Sequence, residues 1–196
     1  MDPVQWPGGV VPYEIGPGLR ARPQVENAIR QWNETPGMPV HLTPRTEEKD
    51  FVVFVDGQRC SSSRGVTGGP QEISLTAGCR PGVVLHEIGH AVGLHHEHNR
   101  VDRRQFLDRI ALENVYRSAV SNFTARTDPE PGEYDFESIM HYSQMAFSKN
   151  RAPTIVPIAA KVPPEALIGQ RQKLSAGDVA RLRVMYDDGD SGGGSP

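Results

Sequence analysis

The sequence predicts an α+β domain in which short strands and two helices occupy the first half and a further helix closes the chain. Three runs rich in β-branched or aromatic residues, at 10–15, 51–55 and 72–75, are bounded by glycine, proline or charge and are typical of strands. Three other segments carry apolar residues at helical spacing. The 196 residues, 37% of them hydrophobic, suffice for one domain with a core and are short for two.

Two helices are predicted in the first half. The first starts at Pro23 and stops near Pro36 and Gly37, and the second begins near Pro81 and ends at Gly93. Their apolar positions are Val25, Ala28, Ile29 and Trp32 in the first, and Val84, Leu85, Ile88 and Ala91 in the second. The first of these helices is expected to pack on the sheet.

A third helix is predicted after Ser175, whose side chain and that of Asp178 form a capping pattern before Val179, Leu182 and Met185. The segment 105–120 has helical propensity but fits neither period, so its structure stays open. We expect a single domain over 1–186, followed by a glycine-rich flexible tail or linker at 187–196.

Charge and hydropathy argue against two kinds of partner. The formal net charge of -3, without a long basic run, offers no footprint for nucleic acid. No segment approaches the roughly 18 consecutive apolar residues of a membrane span. We therefore expect neither nucleic acid nor a membrane span, and we expect a monomer.

Five of the seven histidines lie between positions 86 and 98. On a helix, His86 and His90 are one turn apart and project from one face, so their imidazoles can bind one ion. In a continuous helix, His96 would lie about 15 Å along the axis from His86. Gly93 can enter the left-handed conformation and turn the chain back, which would make His96 a third ligand.

Three neutral imidazoles suit zinc and leave a fourth position for water, as in catalytic sites. Glu87, beside the first ligand, is placed to take a proton from that water. A structural zinc site has no need of such a residue. The remaining histidines are predicted to lie outside the metal site: His41, His95, His98 and His141. Cys60 and Cys79, 19 positions apart, form either one disulfide or two unrelated thiols, and their number alone does not decide.

The segment HEIGHAVGLHHEHNRVDR at 86–103 and SIMHY at 138–142 resemble the zinc signature and Met-turn of the astacin family of metzincin peptidases. The resemblance continues through YDFESIMHY, PTIVP and IGQRQKLSAGDV and covers nearly the whole chain. It implies a metzincin-type zincin fold split by a cleft. A twisted mixed sheet with two helices would form the upper half, about 1–93, and a mostly irregular lower half, about 94–186, would end in a helix.

The resemblance also implies roles for single residues. Met140 would pack beneath the metal, and Tyr142 would bind zinc and swing away during turnover. Glu97 would lie near a buried N-terminal amine. Cys60 and Cys79 would pair, which indicates a secreted protein. The family's second disulfide has no cysteines here, so the last helix is expected to be held by packing alone.

The function that follows is zinc-dependent hydrolysis of peptide bonds by a secreted endopeptidase with one Zn²⁺ per chain and protein or peptide substrates. By resemblance, substrate would lie along an edge strand near Ser61 and Ser63. Arg171 would line the pocket after the scissile bond and give a preference for Asp or Glu there. The alternative is that Arg171 is a surface arginine with a salt bridge. The alternatives are an inactive zinc-binding module that recognises a protein, against which Glu87 argues, and an amidase acting on a non-peptide substrate.

Overall fold

The computed structural model describes residues 4–187, so the predicted tail lies outside the described residues apart from Asp187. The strands are β1 (Val10–Ile15), β2 (His41–Pro44), β3 (Phe51–Asp56), β4 (Ser61–Ser62), β5 (Pro70–Leu75), β6 (Leu107–Ile110) and β7 (Ile155–Pro157). The α-helices are α1 (Arg22–Glu34), α2 (Pro81–Ala91) and α3 (Ala176–Tyr186). Short 3₁₀ helices span Pro7–Gly9, Glu97–Asn99, Arg103–Gln105, Leu112–Asn114, Arg117–Phe123 and Ala159–Lys161.

Five strands form a mixed sheet in the order β2-β1-β3-β5-β4. The first four are parallel, and β4 pairs antiparallel with β5 at the edge of the sheet. The three predicted strands are all present, and the predicted α+β class with a mixed sheet is confirmed. β2 and β4 are not among the predicted strands. β2 has only four residues, one of them proline, and β4 is two serines, so neither shows an alternation of apolar and polar residues.

Helices α1 and α2 contact each other, and both contact the sheet. α1 has Pro23 in its first turn and buries the four apolar residues predicted for it. Trp32 is fully buried, and its indole N–H donates to the Val40 carbonyl at 2.8 Å, so the large ring leaves no unpaired donor in the core. No helix in the described part of the chain has the length and apolar character needed to cross a membrane.

The second half of the chain is mostly irregular, as expected, and has its own small core. β6 and β7 pair antiparallel, and the segment 105–120 forms β6 and overlaps three 3₁₀ helices instead of forming an α-helix. The buried residues of this core are Leu107, Val115, Ala119, Phe123, Tyr134, Phe136 and Ile155. They come from several short elements, which is why 105–120 shows no single helical face.

The capping pattern of α3 forms as predicted. The Asp178 amide donates to Ser175 Oγ at 2.9 Å, and the Ser175 amide donates to Asp178 Oδ2 at 3.0 Å. Val179 and Leu182 are buried in the same hydrophobic cluster as the sheet and α2. The last helix therefore packs on the core of the first half.

The expectation that packing alone holds α3 is wrong. Arg181 forms a buried bidentate ion pair with Glu97, at 2.5 and 3.1 Å. Asp178 accepts from Ser138 Oγ at 2.6 Å and from the Ile139 amide at 2.9 Å. Two charged residues of α3 thus form buried hydrogen bonds with the rest of the chain. These bonds hold the helix in addition to packing, in the absence of the family's second disulfide.

The Cys60–Cys79 disulfide is confirmed, with 6.3 Å between the two Cα atoms. It joins the residue before β4 to the residue two positions before α2. The edge strand and the start of the histidine-bearing helix are thus covalently tied.

We expect Arg181→Met to lower the free energy of unfolding by about 3–5 kcal/mol, because Glu97 would remain as a buried charge without its main partner. Arg109→Met is the matched control, since Arg109 pairs with Glu113 where both side chains are exposed, and should cost less than about 1 kcal/mol. Urea unfolding of both variants measures the difference. Equal, small losses would show that the buried pair contributes little.

Candidate active site

Three histidines meet at the end of α2. Nε2 of His96 lies 3.2 Å from Nε2 of His86 and 3.1 Å from Nε2 of His90. Tetrahedral ligands about 2.05 Å from zinc stand about 3.3 Å apart, so this spacing fits three nitrogens that share one ion. The structure thus brings together the three histidines that the motif predicts, as a group that could hold a metal ion.

The turn after α2 carries His96 back toward the helix. Gly93 has φ +110°, its amide donates to the His90 carbonyl at 2.8 Å, and the Leu94 amide donates to the Gly89 carbonyl at 2.9 Å. This pair of hydrogen bonds is the Schellman motif, which needs a residue in the left-handed region just after the helix. The helix ends at Ala91, two residues before the predicted end, and Gly93 makes the turn.

Hydrogen bonds behind two of the rings fix their tautomers. Nδ1 of His86 lies 2.8 Å from the Ile139 carbonyl oxygen, and Nδ1 of His90 lies 2.9 Å from that of Leu94. A carbonyl can only accept, so each Nδ1 carries the proton and each Nε2 directs its lone pair to the centre. Metal-binding histidines commonly have such outer partners.

Burial keeps these imidazoles neutral. It lowers the pKa of His90 to about 4 and brings the pKa values of His86 and His96 well below the usual range. Neighbouring histidines lower the pKa of His96 further. All three imidazoles are therefore neutral at neutral pH, and the Nε2 atoms of His86 and His90 have a free lone pair.

Glu87 lies between the first two histidines on α2 and is buried. Burial raises the pKa of its carboxyl to about 7, and the positive charge of Arg171 opposes that rise. A cation bound nearby would lower this pKa, because it favours the carboxylate. With a cation bound, the carboxyl would therefore be ionised at neutral pH and able to accept a proton.

The turn at 138–142 lies against α2. Met140 is fully buried, and a Cβ added to Gly89 would come within 2.7 Å of its sulfur. Gly89 is thus needed for the close contact between the helix and the methionine. Glycine inside a helix costs stability, so Gly89 is itself a sequence signal of such close packing.

A family model described as Astacin, a family of peptidases, matches residues 2–187. The chain belongs to the astacin family. It is 38% identical to astacin-like metalloprotease toxin 1 of Loxosceles intermedia, over 94% of this chain and 72% of the toxin. It is 39% identical to tolloid-like protein 1 of Mus musculus over 92% of this chain, which spans only 19% of that relative.

A solved structure of high choriolytic enzyme 1, a hatching enzyme zinc-protease from Oryzias latipes, superposes with a TM-score of 0.82. It is 34% identical and covers 94% of each chain. Myroilysin, at 20% identity and a TM-score of 0.60, shares the fold. The astacin-family chain described here is a zinc metalloendopeptidase, and its three-histidine cluster fits a zinc site.

In this astacin-family enzyme, the ring of Tyr142 lies beside the third histidine. Its centroid is 4.5 Å from that of His96 and 4.1 Å from that of His98, on which it stacks. Burial raises the pKa of Tyr142 to about 12, so its hydroxyl remains protonated at neutral pH.

Arg171 lies next to the same site. Its guanidinium donates to the carbonyls of His141, at 2.9 Å, and Gln170, at 2.8 Å, and its charge lowers the pKa values of Glu87 and Tyr142. Its own carbonyl touches the first turn of α2, where a Cβ on Gly82 would come within 1.7 Å. The guanidinium is half-buried and near the reacting groups, in contrast to a surface arginine.

The remaining predicted positions are distributed as follows. Ser61 lies in β4 at the sheet edge, and Ser63 follows the strand with an exposed side chain. Glu97 lies beneath the site in the ion pair with Arg181. His41 is exposed in β2, and His141 is buried between Tyr134 Oη and the Tyr142 carbonyl.

His98 has a role that the sequence did not indicate. It is fully buried, Nε2 lies 3.1 Å from the Asn122 carbonyl, and its ring supports Tyr142. It sits outside the three-histidine centre, as predicted, but it shapes the pocket of the tyrosine. No local sequence pattern distinguishes this buried histidine from an exposed histidine in the same loop.

We expect His96→Ala to lower zinc affinity by more than about 100-fold, because a direct ligand is removed. Loss of an outer hydrogen-bond partner of a ligand costs roughly 10–100-fold. The neighbouring His95→Ala should retain its zinc. Competition with a chelator and metal analysis of the dialysed proteins measure both. Equal zinc content in the two variants would argue against His96 as a ligand.

Proposed function

We propose that His86, His90 and His96 hold one catalytic zinc ion and that Glu87 is the general base of peptide-bond hydrolysis. The proposal rests on three neutral imidazoles whose Nε2 atoms converge next to the buried carboxyl of Glu87. Zinc in such a site lowers the pKa of water toward about 7 and polarises carbonyl oxygens.

Glu87 takes part in both proton transfers. Its carboxylate accepts a proton from the attacking water and then gives it to the departing amine. The pKa of this carboxyl is about 7 without metal and would be lower with a cation bound, so at neutral pH the group is a carboxylate that can accept a proton. Since the base acts in its ionised form, kcat/KM should rise with pH as Glu87 loses its proton, below pH 7 when a cation is bound.

Tyr142 is proposed to bind the zinc in the resting enzyme and to donate its hydroxyl hydrogen bond to the oxyanion of the substrate. Its ring lies against His96, and its pKa of about 12 keeps the donor proton in place. Met140 packs against α2 at Gly89 and is proposed to keep the histidine-bearing helix in place during turnover.

Protein or peptide substrates are proposed to pair with β4. This strand has one neighbour, β5, and an extended peptide can add its backbone hydrogen bonds at such an edge. Ser61 and Ser63 would contact the residues before the scissile bond, and their small side chains leave room there.

Arg171 is proposed to select an acidic residue after the scissile bond. Its guanidinium is half-buried beside Glu87, and two carbonyls fix its position. A partly desolvated, preoriented guanidinium binds a carboxylate more strongly than an exposed one does.

The disulfide supports an extracellular location, because such bonds persist in oxidising compartments. A toxin and a hatching enzyme among the relatives agree with this proposal. We propose that the enzyme acts as a monomer.

We expect Glu87→Gln to abolish hydrolysis while zinc stays bound, because the amide cannot accept the proton and the three imidazoles are untouched. Glu26→Gln, on the exposed face of α1, is the control and should keep full activity. Cleavage of a proteome-derived peptide mixture and zinc content are measured together. A wild-type protein that holds one zinc and cuts no peptide would favour a binding module over an enzyme.

For specificity, we expect peptides with Asp after the scissile bond to be cut at least about tenfold faster than matched Asn peptides, as a charge-assisted hydrogen bond would give. Arg171→Ala should bring this ratio toward one, whereas the exposed Arg104→Ala should not. The ratio of kcat/KM for the peptide pair corrects for general losses. An unchanged ratio in Arg171→Ala would refute the assignment.

A further inference from the structure

The ring of Tyr142 has four aromatic neighbours. Besides His98 and His96, the rings of Phe147 and Phe123 lie at centroid distances of 5.6 and 5.9 Å. These distances are typical of aromatic pairs in contact. The position of the tyrosine is therefore set by rings from three separate segments of the chain.

The four neighbours differ in how firmly they are held. His98 is 0% and Phe123 2% exposed, and His96 contacts His86 and His90 through Nε2 at 3.2 and 3.1 Å. Phe147 is 45% exposed. It is thus the neighbour of Tyr142 that faces solvent, and a large apolar ring at such a position gains little from burial.

The backbone at Phe147 is strained. Its φ is +54°, in the left-handed region that bulky residues rarely adopt. Hydrogen bonds hold it there, because the Tyr116 amide donates to the Phe147 carbonyl at 3.1 Å and the Ser148 amide to the Met145 carbonyl at 3.1 Å. Strain that the surrounding structure enforces is common where a side chain must be aimed at a functional group.

We propose that Phe147 is a positioning residue, which forms the solvent-facing wall of the Tyr142 pocket and keeps the tyrosine ring beside His96. The left-handed backbone aims the phenyl ring at Tyr142. Without this wall, the tyrosine would be free to turn toward solvent between its two proposed roles. The inference rests on the proposed function of Tyr142, but it concerns a residue outside both sequence motifs.

The test uses Phe147→Gly, which removes the ring and relieves the backbone, and Phe147→Leu, which keeps an apolar side chain without an aromatic face. Arg151→Gly is the matched control, because Arg151 is the other non-glycine residue with positive φ among those described and is exposed. For Phe147→Gly we expect kcat to fall by about tenfold to a hundredfold, as a misplaced active-site group would cause, with KM little changed. Phe147→Leu should lie between this variant and the wild type, and Arg151→Gly should match the wild type.

A double-mutant cycle with Tyr142→Phe separates positioning from a general packing defect. If Phe147 acts through the tyrosine hydroxyl, Phe147→Gly should cause no further loss of kcat in the Tyr142→Phe background. Fully multiplicative losses, or an unchanged kcat in Phe147→Gly, would overturn the proposal.

A second measurement does not depend on activity. The five tyrosines are labelled as 3-fluorotyrosine, and the ¹⁹F resonance of Tyr142 is the one missing in Tyr142→Phe. We expect this resonance to shift and broaden in Phe147→Gly and to stay unchanged in Arg151→Gly. An unchanged Tyr142 resonance in Phe147→Gly would refute the positioning role even if the protein proved not to be a peptidase, whereas a wild type without hydrolysis would refute only the proposed function.

Discussion

The rest of the site depends on three imidazole Nε2 atoms that lie close together, with that of His96 3.1 Å from His90 and 3.2 Å from His86. Neutral rings at this spacing can share one cation only if the protein holds them in place. The carbonyls of Ile139 and Leu94 fix two rings, and Gly93 turns the third into place. Burial keeps all three neutral, which preserves their affinity for a metal ion.

α3 connects this centre to the core through two buried charges. Asp178 caps its own helix and also binds Ser138 and the Ile139 amide, so one carboxylate orders the turn whose carbonyl holds His86. Arg181 neutralises Glu97, which directly follows His96. A buried charge is costly without partners, and these carboxylates have several. The last helix is therefore part of the support of the metal site, although it lies far away in sequence.

The pKa values of Glu87 and Tyr142 are set by two opposing effects. Burial raises the pKa values of Glu87 and Tyr142, whereas Arg171 lowers both. The same guanidinium donates to the His141 carbonyl, within the turn at 138–142. If Arg171 selects substrate as proposed, substrate selection and tuning of the pKa of Glu87 would share one side chain.

Features that depend on local spacing can be predicted from the sequence alone. His86 and His90 on one helical face, the turn at Gly93 and the cap at Ser175 each follow from residues within one or two turns, and the family motifs identified the zinc chemistry. Tertiary structure decided which distant groups meet. The Arg181–Glu97 pair joins residues 84 positions apart, and the ring contacts of Tyr142 with His98 and Phe147 depend on how loops fold back. No local period encodes these contacts, because they arise only when separate segments pack around the same buried site.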